Sequence, residues 1–369
     1  MDDMLSEKRR IKAVDFVSLG MVVLDELRFP SKAPLLDVMG GSGTYATLGA
    51  RLFASDERSD TVGCLVLAGN DFPEAVENTL RDWGIKLVLK KDTGRLSTRG
   101  LLQYEDTTFG PKDFSYTTEP MTPAISDLMG TPLLRSRCYH FLSTPDQIVR
   151  QINELLALRQ LHSVYSRPLI VWEPFPAACI PGNLTATMEA CKHVDMFSPN
   201  HFEITRLFTD EDPNTFQPFN LESCAQKFLD HGIGDGGKGC IVIRAAENGC
   251  LTASRAEGLV WSPSFYGPDS DAARVVDPTG AGNAFIGSFM SALVQHLTLV
   301  EAASCGNVAA SFALEQIGVP KRDYNGVRES WNGVSVMDRL EEYKFRTGYI
   351  EKKKDSAPLF RIVGSSVAR

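Results

Sequence analysis

An excess of positive charge is the first thing this sequence lacks. Lys and Arg total 38 against 46 Asp and Glu, a formal net charge of -8. No global field draws such a chain to nucleic acid or to an anionic lipid surface, so neither is expected as a partner. Long apolar runs are missing as well. No uninterrupted hydrophobic segment approaches the length of about 18 residues needed to cross a bilayer, and the opening MDDMLSEKRR is charged where a signal peptide needs an apolar stretch. A cytoplasmic protein is the expectation. The eight cysteines include no pair at CxxC spacing, which fits reduced thiols. The six histidines form no metal-spaced cluster and no GxSxG elbow occurs, which argues against a zinc or serine hydrolase. Internal repeats and low-complexity blocks are absent too.

What is present is hydrophobic material in short pieces. At 369 residues and 43% hydrophobic, the chain suffices for one large α/β core or for two domains. Compact apolar runs at 13–20, 60–68, 86–90, 138–142, 168–173, 194–198 and 239–244 read as buried strands. Val22–Phe29 reads as a continuation of the first. Between most of them lie stretches of helical length, such as 72–83, 145–161, 203–208 and 221–232. This alternation predicts a mostly parallel sheet covered by helices. Two regions depart from it. Residues 98–116 alternate apolar and polar side chains and, with 28–38, predict a small β sheet standing off the core as a lid. Residues 248–273 read as a hairpin. The end, 346–369, with its EKKKDS run, is expected to be a poorly ordered extension.

The most informative segment is RVVDPTGAGNAFIGSFMSAL, Arg274 to Leu293, a strand end, a glycine turn and a helix start. Such a turn directs the backbone N–H groups of Gly280, Ala281, Gly282 and Asn283 outward at the positive end of a helix dipole, where an anion is favoured. It is no P-loop, since Asn283-Ala284 stands where Lys and Ser or Thr are required. Asn283 alone reads as a helix N-cap.

Taken together, these motifs resemble the ribokinase-like, or pfkB, family of carbohydrate and nucleoside kinases, from about Val14 to Gly318, and most closely its fungal maintenance-of-killer subgroup. The family signature DTxGAGD is met at Asp277, Gly280, Ala281 and Gly282, with Pro278 in a tolerated slot and Thr279 between it and the glycines, while Asn283 replaces the catalytic aspartate of the family. The resemblance implies a three-layer α/β sandwich with a small β lid, as one domain over 12–345. It implies ATP and Mg²⁺ as cofactors and a sugar or nucleoside as substrate, held by Asp25, the di-glycine Gly40-Gly41 and Thr44-Tyr45. Arg244, Ala246, Gly249 and Asn307 would surround the nucleotide; here Arg and Ala replace the usual Thr and first Gly of a TxGxxG segment. Arg244 would either bind a phosphate or block the usual nucleotide pose. Asn200 and Glu203 match the family's NxxE pair near Mg²⁺, although the residues alone equally allow a helix cap and its dipole partner. Gly69–Phe72 and Glu173-Pro174 are partial matches to two further family elements. The lid edge offers a homodimer contact.

Asn283 divides the functional expectations. An amide orients a hydroxyl but takes no proton. The chain is then a kinase with an altered base, a pseudokinase that binds nucleotide or sugar, or a lyase or isomerase that reuses the anion hole.

Overall fold

Strands buried on both faces must be apolar throughout, and the short runs of this sequence meet that demand. In the computed structural model, which describes residues 13–106, 112–209, 217–267, 274–348 and 361–363, the strands in chain order are β1 (Phe16–Ser18), β2 (Val23–Arg28), β3 (Leu35–Gly40), β4 (Val62–Ala68), β5 (Lys86–Lys91), β6 (Arg99–Tyr104), β7 (Lys112–Tyr116), β8 (Cys138–Ser143), β9 (Leu169–Pro174), β10 (Met196–Phe197), β11 (Cys240–Arg244), β12 (Cys250–Ser254), β13 (Gly258–Ser262), β14 (Arg322–Tyr324), β15 (Glu329–Trp331) and β16 (Arg361–Val363). Ten of them form one sheet in the order β16-β13-β12-β11-β10-β9-β8-β1-β4-β5. From β11 to β5 every pairing is parallel; β12, β13 and β16 extend the sheet antiparallel. The hairpin read at 248–273 is β12–β13, and 268–273 lie outside the described residues.

Helices α1 (Ser42–Leu52), α2 (Glu74–Asp82), α3 (Pro145–Leu161), α4 (Leu184–Cys191), α5 (His201–Arg206), α6 (Pro218–His231), α7 (Ala281–Val294), α8 (Leu299–Leu314) and α9 (Val336–Arg346) cover both faces. Successive strand residues divide between two cores, Phe16, Cys64 and Val171 on one side and Val17, Leu65 and Trp172 on the other. The first core takes α1, α2 and α7 to α9, the second α3 to α6. This is the three-layer α/β sandwich that the resemblance implies. Within the first layer α1 and α7 touch backbone to backbone. A Cβ on Gly49 would strike the carbonyl of Ala284, and one on Gly287 would strike that of Ala46.

The stand-off sheet has the order β3-β2-β6-β7, with β2 and β6 parallel. It is wider than the expected segments 28–38 and 98–116, because it begins at Val23. Val23–Arg28 does not continue the opening core strand, because the chain turns off the main sheet after Ser18 and re-forms beside β6. Residues 107–111 lie outside the described residues. Of the extension expected at 346–369, residues 346–348 finish α9 and β16 pairs with β13; the remainder is likewise outside them.

Candidate functional site

Parallel topology gathers strand ends along one edge, and four strands together with helix α5, which follows β10, bring polar groups to that edge. Ser18, at the end of β1, accepts the N–H of Gly20 at 3.0 Å and lies 2.9 Å from Nδ1 of His140 on β8. Nε2 of His140 is 3.1 Å from Oε2 of Glu173 near the end of β9. With Nε2–H donating to the carboxylate, Nδ1 is left to accept from Ser18, so the chain of bonds has one consistent direction. Arg244, ending β11, sets Nη1 2.9 Å from Glu173 Oε1 and Nη2 3.5 Å from Glu203 Oε2, just beyond β10. Its Nη2 also donates to the Ser198 carbonyl at 2.9 Å.

One guanidinium thus serves two carboxylates unequally. Burial would raise the Glu173 carboxyl, but Arg244 and His140 overcome it and hold the group below the ordinary carboxylate range. Glu203 has the longer contact, and burial wins there. Reinforced by repulsion from Glu173, it lifts the carboxyl to about 7 despite Arg244. Glu203 and Asn200 also cap α5 reciprocally. The Asn200 side chain accepts the Glu203 N–H, and Glu203 Oε2 accepts the Asn200 N–H, both at 2.8 Å.

The glycine turn meets this row from the helix layer. Gly280, with a φ of 80°, caps α7 in the left-handed conformation that glycine adopts without strain. Asp277 accepts the Thr279 N–H at 2.9 Å, and the N–H groups of Val276 and Asp277 bond to the Leu314 carbonyl, which fixes the approach to the turn. Gly282 lies against Arg244: a Cβ there would stand 2.5 Å from Nη1. Asn283 is no N-cap, for it lies inside α7, and its Nδ2 donates to Glu173 Oε2 at 2.6 Å.

The lid meets the turn from the other side. Asp25 lies between two glycines, since a Cβ on Gly40 would strike its Oδ2 and one on Gly100 its Oδ1. The Tyr45 ring lies against Gly280 in the space a Cβ would need. Burial first, then the charges of Asp277 and Asp25, push the Tyr45 phenol far above its ordinary value and that of Tyr104 to about 12, a hydrogen bond with Thr279 offsetting part of the latter. The two tyrosines and two aspartates therefore form one group. Thr44 turns away, bonding back to the Gly40 carbonyl at 2.6 Å, while Gly41 caps α1 at a φ of 90°.

Of the residues expected around a nucleotide, Arg244 lies against the turn at Gly282. Ala246 has a φ of 49° and opens a short turn that Gly249, at 84°, closes against the Ser262 carbonyl. The Asn307 amide donates to the Tyr343 hydroxyl at 3.1 Å between α8 and α9. Sequence reading did not place Ser18, His140 or Glu173 in the site. A histidine and a glutamate inside apolar strands, in CYHFLS and LIVWEP, were the available signal, because buried polar groups require partners.

Comparison with known proteins agrees with this architecture. Residues 37–321 match the pfkB family carbohydrate kinase profile. An uncharacterized protein of Schizosaccharomyces pombe is 32% identical over 345 residues, covering 90% of this chain and 93% of its own length. The protein MAK32 of Saccharomyces cerevisiae is 29% identical over 348 residues, covering 90% and 92%. Among solved structures, an E. coli protein assigned as a ribokinase II, crystallised with ATP and Mg²⁺, superposes with a TM-score of 0.63 at 15% identity, over 91% of this chain and all of that one.

Proposed function

The chain belongs to the pfkB family of carbohydrate kinases, and from that premise we propose that it is a catalytically impaired member which binds a phosphate-bearing sugar- or nucleoside-like molecule. The phosphate would lie at the Gly280–Gly282 turn and the hydroxyl-bearing part against Asp25 in the lid. The observation that carries this reading is the 2.6 Å bond from Asn283 Nδ2 to Glu173. With one amide hydrogen committed to the carboxylate, Asn283 has its carbonyl oxygen as its acceptor for a ligand hydroxyl. That oxygen accepts a hydrogen bond from a hydroxyl but not the proton.

Losing a general base costs about 10²–10⁴-fold in rate, or roughly 3–5 kcal/mol of barrier. Phosphoryl transfer depends mainly on positioning and charge stabilisation, so slow turnover remains compatible with the turn. The Mg²⁺ expected at Asn200 and Glu203 does not fit the donor set. Glu173 Oε2 already takes His140 and Asn283, Glu173 Oε1 takes Arg244, and Glu203 Oε2 takes the Asn200 N–H beside Arg244.

Calorimetry with ATP, run beside a turnover assay over a panel of sugars, nucleosides and polyols, tests the reading. Binding with little or no turnover is expected. Asn283→Asp alone would set a second carboxylate against Glu173, so only the pair Asn283→Asp, Glu173→Gln should gain about 10²–10⁴-fold. Wild-type turnover of about 1–100 s⁻¹, ordinary for kinases, overturns the proposal.

A working kinase is the second reading, favoured by the nearness of Asp25 and Asp277 to the same two tyrosines. Asp25→Asn or Asp277→Asn would then abolish turnover while leaving ATP binding intact.

A further inference from the structure

Arg244 stands among Glu173, Glu203 and the glycine turn. Its two terminal nitrogens face one oxygen of each carboxylate, at 2.9 and 3.5 Å. Its side chain is only 12% exposed, so the charge is held within the fold. The guanidinium also rests on Gly282, where any larger residue would displace it. Nε is buried with no hydrogen-bond partner among the described residues, which leaves one N–H donor uncommitted beside the turn. A phosphate oxygen is the acceptor that a guanidinium donor suits best. The end of β11 is pinned by the Arg244 N–H to the Pro199 carbonyl at 3.0 Å, so the side chain starts from a fixed root.

We propose that the turn binds its phosphate ester without a divalent cation, Arg244 supplying the positive charge from within the chain. This rests on the phosphate-binding reading above and narrows it to a metal-free phosphate ester. A Mg²⁺-chelated nucleotide brings a second cation to a place where Arg244 already stands, and the two repel. The free ester brings no second cation and meets the guanidinium and the N–H groups of the turn.

Two measurements on the full chain test the idea. In the first, calorimetry compares ATP in EDTA with ATP in excess Mg²⁺. Free ATP should bind about tenfold more tightly. Arg244→Ala and Arg244→Lys guard against loss of folding by one variant, checked by thermal unfolding. Ala should lose about tenfold in affinity for free ATP and Lys should keep part of it. In the second, Mn²⁺ alone is titrated and its bound fraction read by electron paramagnetic resonance. Wild type should bind none tightly, whereas Arg244→Ala, with Glu173 and Glu203 left facing each other, should gain a site. ATP binding by wild type only when Mg²⁺ is present, or tight Mn²⁺ binding by wild type, overturns the metal-free inference while the phosphate-binding reading stands. Failure of ATP to bind in either buffer overturns the phosphate-binding reading, and this inference with it.

Discussion

The sheet side and the lid side of the turn are built on opposite principles. On the sheet side, Ser18, His140, Glu173, Arg244, Glu203 and Asn283 neutralise one another through a continuous row of hydrogen bonds and ion pairs. On the lid side, Asp25 sits in a slot whose walls are glycines, and Tyr45 lies flat against another glycine. The first region depends on matched charge and the second on matched space. A substitution in the first therefore leaves a partner stranded, whereas one in the second collides.

Breaking the charge row should have the largest effect. Glu173→Ala strands a buried guanidinium, an imidazole and an amide, and should lower folding stability by about 3–5 kcal/mol in urea denaturation. Breaking the spatial fit should cost less. Gly40→Ala sets a methyl group on Asp25 and should reduce stability by about 2–3 kcal/mol while abolishing ligand binding in calorimetry. If Gly40→Ala proves the more destabilising of the two, the contrast between the regions fails.

A pH series should give the smallest effect. Glu203 is raised from 4.5 to about 7, so the folded protein keeps a proton that the unfolded chain releases between those values. Stability should be fullest near pH 4.5 and decline toward pH 7, by about 1–2 kcal/mol, less than the full shift implies because Arg244 can move with the proton. Glu173, held low, acts in the opposite sense and only as pH falls below its ordinary value. The urea midpoint should thus be higher at about pH 5 than at about pH 8, and Glu203→Gln should remove the difference.

Local pattern made much of this legible in the sequence. The strand at Cys138–Ser143 and the helix at Pro145–Leu161 follow from short apolar runs and amphipathic spacing, and the DPTGAG turn is visible as a glycine break before an apolar helix. Strand β2 was misread because VVLDELRF is apolar enough for either sheet. Which sheet it joins is decided by the break after Ser18 and by its pairing with β6, a segment distant in the chain. The charge row was hidden for a related reason. Arg244, Glu173 and His140 become neighbours only because β11, β10, β9 and β8 lie side by side in parallel, and strand order is not written in local periodicity. Arg244 was recognised as a departure from TxGxxG, yet its carboxylate partners depended on that order. Asn200 and Glu203 illustrate the converse: the spacing that suggested a metal pair is also the spacing of a capping box, and the structure displays the latter bonds.

The interlock of Gly49 with Ala284 and Gly287 with Ala46 has a mechanical meaning. Strand β3 of the lid runs through Gly41 directly into α1, and α1 rests on α7 with no side-chain cushion between the two backbones. Two rods in bare contact at two points cannot slide or pivot independently, so they form a single lever. A tilt of the lid must therefore be taken up at the glycine joint that β3 shares with α1, while the N–H array of the turn keeps its place.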